Sequence, residues 1–435
     1  MKIDLAKVNK VHFIGIGGIG VSAIARMMLL EGKIVSGSDG SASEITGELE
    51  KLGARFFAGQ KTGQVPKDAD LVIYTIAITE GNPEFIDAKK YGLSMITYPE
   101  ALGLISKQKY TIAISGTHGK TTTTAMIAKI LLEAKEDPTV VVGSLLKDGA
   151  QGKSNFIAGK GKYFVAEACE YRRSFLNLNP SVLVITNIDN DHLDYYKDMD
   201  DIVSAFREMA MKVPRTGFVV CDIKNKRVSE AVEGINAKVV DYMDFFEKDL
   251  PLKIPGRHNK LDAAAALSVA HVLGLQKKTT ENSLKGFSGT WRRFEYKGET
   301  KNGVIVYDDY GHHPTEIKAT LSGAREFFGN KKIIVVFQPH LYSRTKLLLE
   351  EFAGAFKNSD QVLLAPIYAA REPIDNSISS DILAERIRKV GIEAKSFPNF
   401  EEIESFILEN AKSGDVVMTI GAGDVYKIGE MIIAN

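Results

Sequence analysis

The sequence predicts an α/β protein with three sheets in series. Three observations predict it. The chain has 435 residues, a length that suits about three domains. Strand-length apolar runs rich in valine and isoleucine recur between longer stretches of helical period. Polar clusters stand where many of those runs end, as ligand-binding loops do in open α/β sheets. The runs are "VHFIGI", "LVIYTIAI", "YTIAIS", "YFVAEA", "VLVITNI", "GFVVCD", "GVIVYDD", "KIIVVFQ", "QVLLAPI" and "VVMTIGAG". Short continuous runs of this kind are buried on both faces, which points to parallel sheets covered by helices. The helices between them include "SAIARMMLLEG", closed by Gly32, and "TTTAMIAKILLEA".

Composition narrows the function classes. Lys+Arg and Asp+Glu stand at 55 each, so the chain lacks the basic footprint of a nucleic-acid binder or a membrane-surface helix. No run of 18 apolar residues occurs, so no membrane span is expected. Two cysteines, Cys169 and Cys221, make neither a disulfide framework nor a zinc cluster, which fits a cytoplasmic protein. Domain cuts are placed in the charged stretch "LISKQKY" and near "FSGTWRRFEYKGET", giving segments 1–106, 107–289 and 290–435.

Two glycine-rich turns carry the chemistry. Gly15, Gly17, Gly18 and Gly20 form G-x-G-x-x-G between a strand and a helix, with Asp39 where a ribose-binding acid falls. This spacing suits a diphosphate at a helix N-terminus. It leaves open NAD, a nucleotide-linked sugar, or a close-packed turn without ligand. The second turn is Gly116-Thr117-His118-Gly119-Lys120-Thr121, followed by Thr122. It is shorter than a standard P-loop, since Ile114 stands where that pattern has glycine. Its two glycines still allow a nest of N–H donors, with Lys120 for the β- and γ-phosphates and Thr121 for Mg²⁺. It predicts binding of a nucleoside triphosphate. A nicotinamide-dependent dehydrogenase, the rival from another class, leaves this second turn without purpose.

Further polar groups stand downstream. Glu167 and Glu170 end one run, with Glu167 the better metal ligand and solvated loop acids the bland alternative. Asp189, Asp191, His192 and Asp194 follow another run. Arg257, His258 and Asn259 precede an alanine-rich helix. Arg292 and Arg293, then Asp308, Asp309, Tyr310, His312 and His313, then His340 and Arg344, complete the set. His271 in a helix and His12 at a strand start read as structural.

Taken in order, "HFIGIGGIGVSAIA", "GTHGKTTT", "TNIDNDHLDYY", "PGRHN", "RRFE", "DDYGHHPTEI", "FQPH" and "GAGD" resemble the Mur ligases, the ATP-dependent amide-forming enzymes of peptidoglycan precursor synthesis. The resemblance covers nearly the whole chain. It implies a Rossmann-like N-terminal domain for the UDP part of the substrate, with Gly15, Gly17, Gly18, Gly20 and Asp39 there. It implies a central P-loop ATPase-like domain and a Rossmann-like C-terminal domain that brings the amino acid. ATP would be held by Gly116, Thr117, His118, Gly119, Lys120, Thr121 and Thr122, with His258 and Asn259 near the adenine and Arg293 and Asp309 at the phosphates. Thr121, Glu167 and His192 would hold Mg²⁺. Tyr310, His312, His340 and Arg344 would take the acceptor, and Lys120, Arg293, His312 and His340 would be the catalytic set. The implied reaction joins L-alanine to the lactyl carboxylate of UDP-N-acetylmuramate through an acyl phosphate. Glycine, L-serine or a recycled tripeptide are the alternative acceptors, and a monomer or homodimer is expected. The chain departs from the family pattern at "EACEY", at "VIYTIAI", at Asp262 in place of asparagine and at Leu341 in place of arginine.

Overall fold

In a computed structural model of the chain, the described residues are 3–146, 154–191, 195–370 and 372–434. They fall into two compact units, one of Met1–Glu247 with Leu261–Gly286 and one of Lys248–Lys260 with Phe287–Asn435. The chain carries three sheets, and their strands follow chain order.

The first sheet belongs to the first unit. It contains β1 (Lys10–Ile14), β2 (Ile34–Asp39), β3 (Arg55–Ala58), β4 (Leu71–Tyr74) and β5 (Met95–Thr97). Their order is β3-β2-β1-β4-β5, and every pair is parallel. Val11, Phe13 and Ile14 of the central strand are all buried, as a strand covered on both faces requires. Burying each such side chain stabilises the fold by roughly 1.5–3 kcal/mol. The helix Ile19–Leu30 covers one face through Ile24 and Met28. It ends as expected at Gly32, whose φ of +79° lets Gly32 N–H bond Leu29 C=O and Lys33 N–H bond Met28 C=O. His12 is fully buried in mid-strand, with Nδ1 2.9 Å from Ser36 Oγ and Nε2 3.5 Å from Glu84 Oε1, so its role is structural as expected.

The second sheet, also in the first unit, contains β6 (Tyr110–Ser115), β7 (Thr139–Leu146), β8 (Ser154–Ile157), β9 (Tyr163–Glu167), β10 (Val182–Ile185), β11 (Phe218–Cys221) and β12 (Lys238–Asp241). The order is β12-β11-β10-β6-β9-β7-β8, with only the β7–β8 pair antiparallel. The strand β6 therefore has β10 on one side and β9 on the other. The three loops that leave their carboxyl ends are neighbours.

The third sheet belongs to the second unit. It contains β13 (Glu295–Glu299), β14 (Ile305–Asp309), β15 (Ile333–Phe337), β16 (Gln361–Leu364), β17 (Glu393–Ser396) and β18 (Val416–Ile420), in the order β13-β14-β18-β15-β16-β17. Only β13–β14 is antiparallel. All ten expected runs contain strands, but several strands stop early. The run "LVIYTIAI" becomes strand only as far as Tyr74, because the chain turns after it, with Ile78 N–H bonded to Thr75 C=O. Among the described residues no helix is long and apolar enough to cross a membrane.

Candidate functional site

The first glycine loop leaves β1 at the point where strand order reverses between β1 and β4. Gly15 has φ of +84°, and a Cβ there would lie 2.5 Å from Thr75 Cγ2 on the loop after β4. The two loops thus touch only because Gly15 has no side chain. Much of the loop's own N–H supply is used internally. Gly15 and Ile16 N–H bond Ser38 C=O, Gly18 N–H bonds Gly15 C=O, and Gly17 N–H bonds Asp39 Oδ2 at 2.9 Å. Asp39 therefore fastens the loop. Ile19, Gly20 and Val21, the first turn of the helix, make no backbone N–H bonds among the described residues. A diphosphate would meet these donors and the positive end of the helix dipole.

The second loop leaves β6. Gly119 is the N-cap of the helix Lys120–Glu133, in the left-handed region at φ +83°. Gly116 has φ of +133°, and a Cβ there would fall 1.9 Å from Thr186 Oγ1. Neighbouring groups fix the loop from the β10 side. Thr117 N–H bonds Asn187 C=O, His118 N–H bonds Asn187 Oδ1 at 3.0 Å, and Asp189 N–H bonds Thr117 Oγ1 at 2.8 Å. His118 Nε2 stands 3.6 Å from Asp189 Oδ2. The N–H groups of Gly119, Lys120, Thr121 and Thr122 make no hydrogen bond among the described residues, which leaves an anion nest at a helix start. Thr123 and Thr124 are fully buried, so they belong to the core rather than to the nest. Gly116→Ala is expected to destabilise the protein by about 1–3 kcal/mol and to weaken nucleotide binding. Thermal unfolding and titration with a non-hydrolysable ATP analogue check this, and a variant unchanged in both contradicts it.

Acids from β9 complete this end of the sheet. Lys120 Nζ folds back onto Gly116 C=O and Thr117 C=O, and it stands 3.0 Å from Glu170 Oε2. Burial works against the ammonium, yet the Glu170 carboxylate, with Cys169 and Glu167 nearby, raises its pKa above the ordinary lysine value. Glu170 is itself buried, and Tyr196 Oη donates to its backbone carbonyl. Glu167 takes the other direction, accepting Gly143 N–H at 2.9 Å. Thr121 and Glu167 offer the hard oxygen donors that Mg²⁺ takes. His192, expected as a third metal residue, and Asp194 lie outside the described residues. Asp262, one of the departures, packs on the loop: a Cβ on Gly119 would lie 2.3 Å from its Oδ1.

In the second unit the loops after β14, β18 and β15 are neighbours by strand order. Tyr310, His312, His340 and Tyr368 form a row of rings with centroids 5.5, 5.9 and 5.6 Å apart. The last pair is stacked at 18°. Arg344 Nη1 stands 3.3 Å from His340 Nδ1, and guanidinium only donates, so this ring nitrogen is the acceptor. In contrast, His312 Nδ1 faces Tyr310 C=O at 3.2 Å and is the donor. Arg293 lies over the Tyr310 ring at 5.3 Å and 3.8 Å from Glu316. The buried Asp309 carboxylate accepts from Phe294 N–H, Gly311 N–H and Thr320 Oγ1, so it braces three segments. Desolvation pushes His258 below its usual value, with Arg293 acting the same way and Asp309 against it. Asn259 Nδ2 donates to Pro255 C=O at 2.5 Å.

Some sequence expectations need correction. Arg257, His258 and Asn259 do not precede a helix; they are the first residues of the helix Arg257–Val272. His271 is not a core histidine, because it is exposed, with its ring 5.2 Å from Phe245. Leu341 is buried with φ of +70°, so this departure is an apolar contact in strained backbone. Sequence reasoning missed Asn187, Tyr368 and the role of Arg292. The last is buried: its Nε is 2.7 Å from Asp308 Oδ2, and its Nη atoms reach Gly423 and Gly421 C=O. Asn187 was visible in "TNIDND", next to acids already singled out. Nothing in the sequence marks Tyr368.

Comparisons with known proteins agree along the whole chain. Residues 10–110 match the model described as Mur ligase family, catalytic domain. Residues 114–248 match the Mur ligase middle domain, and residues 292–423 match the Mur ligase, glutamate ligase domain. A UDP-N-acetylmuramate–L-alanine ligase of Clostridium kluyveri is 44% identical, and one of Clostridium botulinum 42%, each over 100% of both chains. The crystal structure of UDP-N-acetylmuramate-alanine ligase from Thermotoga maritima superposes with a TM-score of 0.82 at 29% identity over 98% of each chain. A murein peptide ligase of Psychrobacter arcticus shares the fold, with a TM-score of 0.73 at 22% identity over 98% of each chain.

Proposed function

The chain belongs to the Mur ligase family, and from that premise we propose that it joins L-alanine to the lactyl carboxylate of UDP-N-acetylmuramate at the expense of ATP. The observation that carries this reading is the carboxyl end of β6. There an N–H nest, Lys120, and the acids Glu167 and Glu170 converge, as transfer of a γ-phosphoryl group requires. The open first turn at Ile19–Val21 in the same compact unit suits a second, non-reacting diphosphate.

A carboxylate does not accept an amine directly, because its leaving group would be oxide. In the proposed reaction a carboxylate oxygen attacks the γ-phosphorus in line, and the bond to ADP breaks. Lys120 leaves its loop carbonyls for phosphate oxygens, and Arg293 is the second cation that the family resemblance implies. Mg²⁺, held by Thr121 and Glu167 and supported by His192, would supply neutralisation of phosphate charge. The amine of L-alanine then attacks the acyl carbon, and inorganic phosphate leaves.

The ring tautomers divide the two histidines. Accepting from Arg344 at Nδ1 leaves the proton of neutral His340 on Nε2, so His340 donates. Donating from Nδ1 leaves Nε2 of His312 basic, so His312 takes the proton of the attacking amine. Arg344 and Tyr310 would hold the acceptor, and His258 and Asn259 the adenine. Gly15, Gly17, Gly18, Gly20 and Asp39 shape the seat of the UDP. Each of the three sheets lies within one of the segments 1–106, 107–289 and 290–435, which supports that division.

An amino-acid panel tests the reading, with phosphate release measured in the presence of ATP, Mg²⁺ and UDP-N-acetylmuramate. L-alanine is expected to give the highest kcat/KM, above glycine and L-serine. Faster release with a tripeptide, or release that ignores the acceptor, would overturn it.

A further inference from the structure

The helix Tyr98–Ser106 begins against the first glycine loop. Its start is rigid: Thr97 and Glu100 form a reciprocal capping box, and Pro99 sits in the first turn. Tyr98, its first residue, presses its ring on the first glycine loop. A Cβ on Gly20 would lie 2.5 Å from Tyr98 Cζ and 2.6 Å from its hydroxyl oxygen. The last glycine of G-x-G-x-x-G thus makes room for this ring, besides allowing a ligand to approach.

The other end of the same helix packs on the chain that follows Glu170. A Cβ on Gly103 would lie 2.4 Å from Asn177 C=O. Asn155 in β8 holds the first loop from the second sheet, donating through Nδ2 to Ile19 C=O and to Ser22 Oγ. The helix start at Ile19 and the acids beyond β9 are therefore braced together. The Tyr98 hydroxyl lies in the field of Glu167 and Cys169. Tyr98 is only partly buried, and its hydroxyl makes no hydrogen bond among the described residues.

We infer that Tyr98 is a further substrate-contacting residue, whose hydroxyl donates a hydrogen bond to an anionic oxygen of the acidic substrate where it passes from the first glycine loop to the acids of β9. This rests on the proposed function, since it needs a diphosphate-linked acid at the first loop. A phenol suits the position because it donates to an anion without adding charge beside Glu167. Lysine there would pair with the carboxylate and compete with the metal.

Tyr98→Phe removes one oxygen and leaves the ring on Gly20. Steady-state phosphate release with ATP, UDP-N-acetylmuramate and L-alanine is the readout, with the melting temperature beside it. A charge-assisted hydrogen bond corresponds to a loss of about 10- to 100-fold in kcat/KM for UDP-N-acetylmuramate. KM for ATP and the melting temperature are expected to stay as in the wild type. A kcat/KM within twofold of wild type overturns the inference. So does a loss that follows KM for ATP or a fall in melting temperature, which marks a merely structural ring. Wild-type protein that releases no phosphate with UDP-N-acetylmuramate overturns instead the function on which the inference rests.

Discussion

Lys120→Ala is expected to lower ATP-dependent ligation by about a hundredfold, roughly 3 kcal/mol of transition-state stabilisation. It should also lower the melting temperature, for a separate reason. Lys120 and Glu170 form a buried pair, and Glu170 is 2% exposed. Removing one member of such a pair leaves an uncompensated charge and costs about 3–5 kcal/mol. The double variant Lys120→Ala/Glu170→Gln separates the two effects. It should recover most of the stability and none of the activity, because the glutamine is neutral and the phosphates still lack their cation. Phosphate release and thermal unfolding of the three proteins read this out. Near-normal turnover by Lys120→Ala would remove the phosphate from this loop. Glu170 and two loop carbonyls are the partners from which phosphate oxygens would take the Lys120 ammonium.

Arg292→Met is expected to destabilise the protein by about 3–5 kcal/mol. Arg292 is 2% exposed and its partner Asp308 is fully buried. Desolvation already raises the Asp308 pKa, against Arg292 and against Thr419, whose Oγ1 donates to Oδ1 at 2.6 Å. Without the guanidinium the carbonyls of Gly421 and Gly423 also lose their donors. The guanidinium is enclosed by the rings of Tyr310 and Tyr426, 5.2 and 4.8 Å away. Lysine would keep the charge and lose the fork that serves three acceptors, so Arg292→Lys should fall between wild type and Arg292→Met. Urea unfolding measures this. A loss of less than about 1 kcal/mol for Arg292→Met would mean that water reaches Asp308.

The central strands were legible because both faces of β1, β6, β10 and β15 are covered, which forces continuous apolar runs. Edge strands were not. In β17, "EAKS", only Ala394 is buried, and in β12 the charged ends Lys238 and Asp241 hide the strand. Loop chemistry was legible wherever its residues cluster within a few positions, as in "GTHGKT". It was illegible where neighbours come from different strands. Tyr368 meets His340 because β15 and β16 run parallel side by side, and 28 residues of sequence separate the two rings. Tyr98 was silent because "YPEALG" reads as an ordinary helix start. His271 was misread because apolar neighbours in a helix do not show which face meets solvent.

The route of the chain has a consequence for its biogenesis. The first compact unit is not contiguous: the chain leaves it after Glu247 and returns at Leu261. The returning piece includes the helix Lys277–Lys285, which packs on the phosphate-loop helix Lys120–Glu133. A nascent chain released only as far as residue 247 has made the glycine loops and both sheets of that unit, yet lacks the helix that supports the second loop. Co-translational completion of the first unit, and of the packing behind the second loop, therefore waits for residue 286. A fragment ended at the close of the second sheet should unfold at a lower temperature than the same fragment with the piece 261–286 supplied to it.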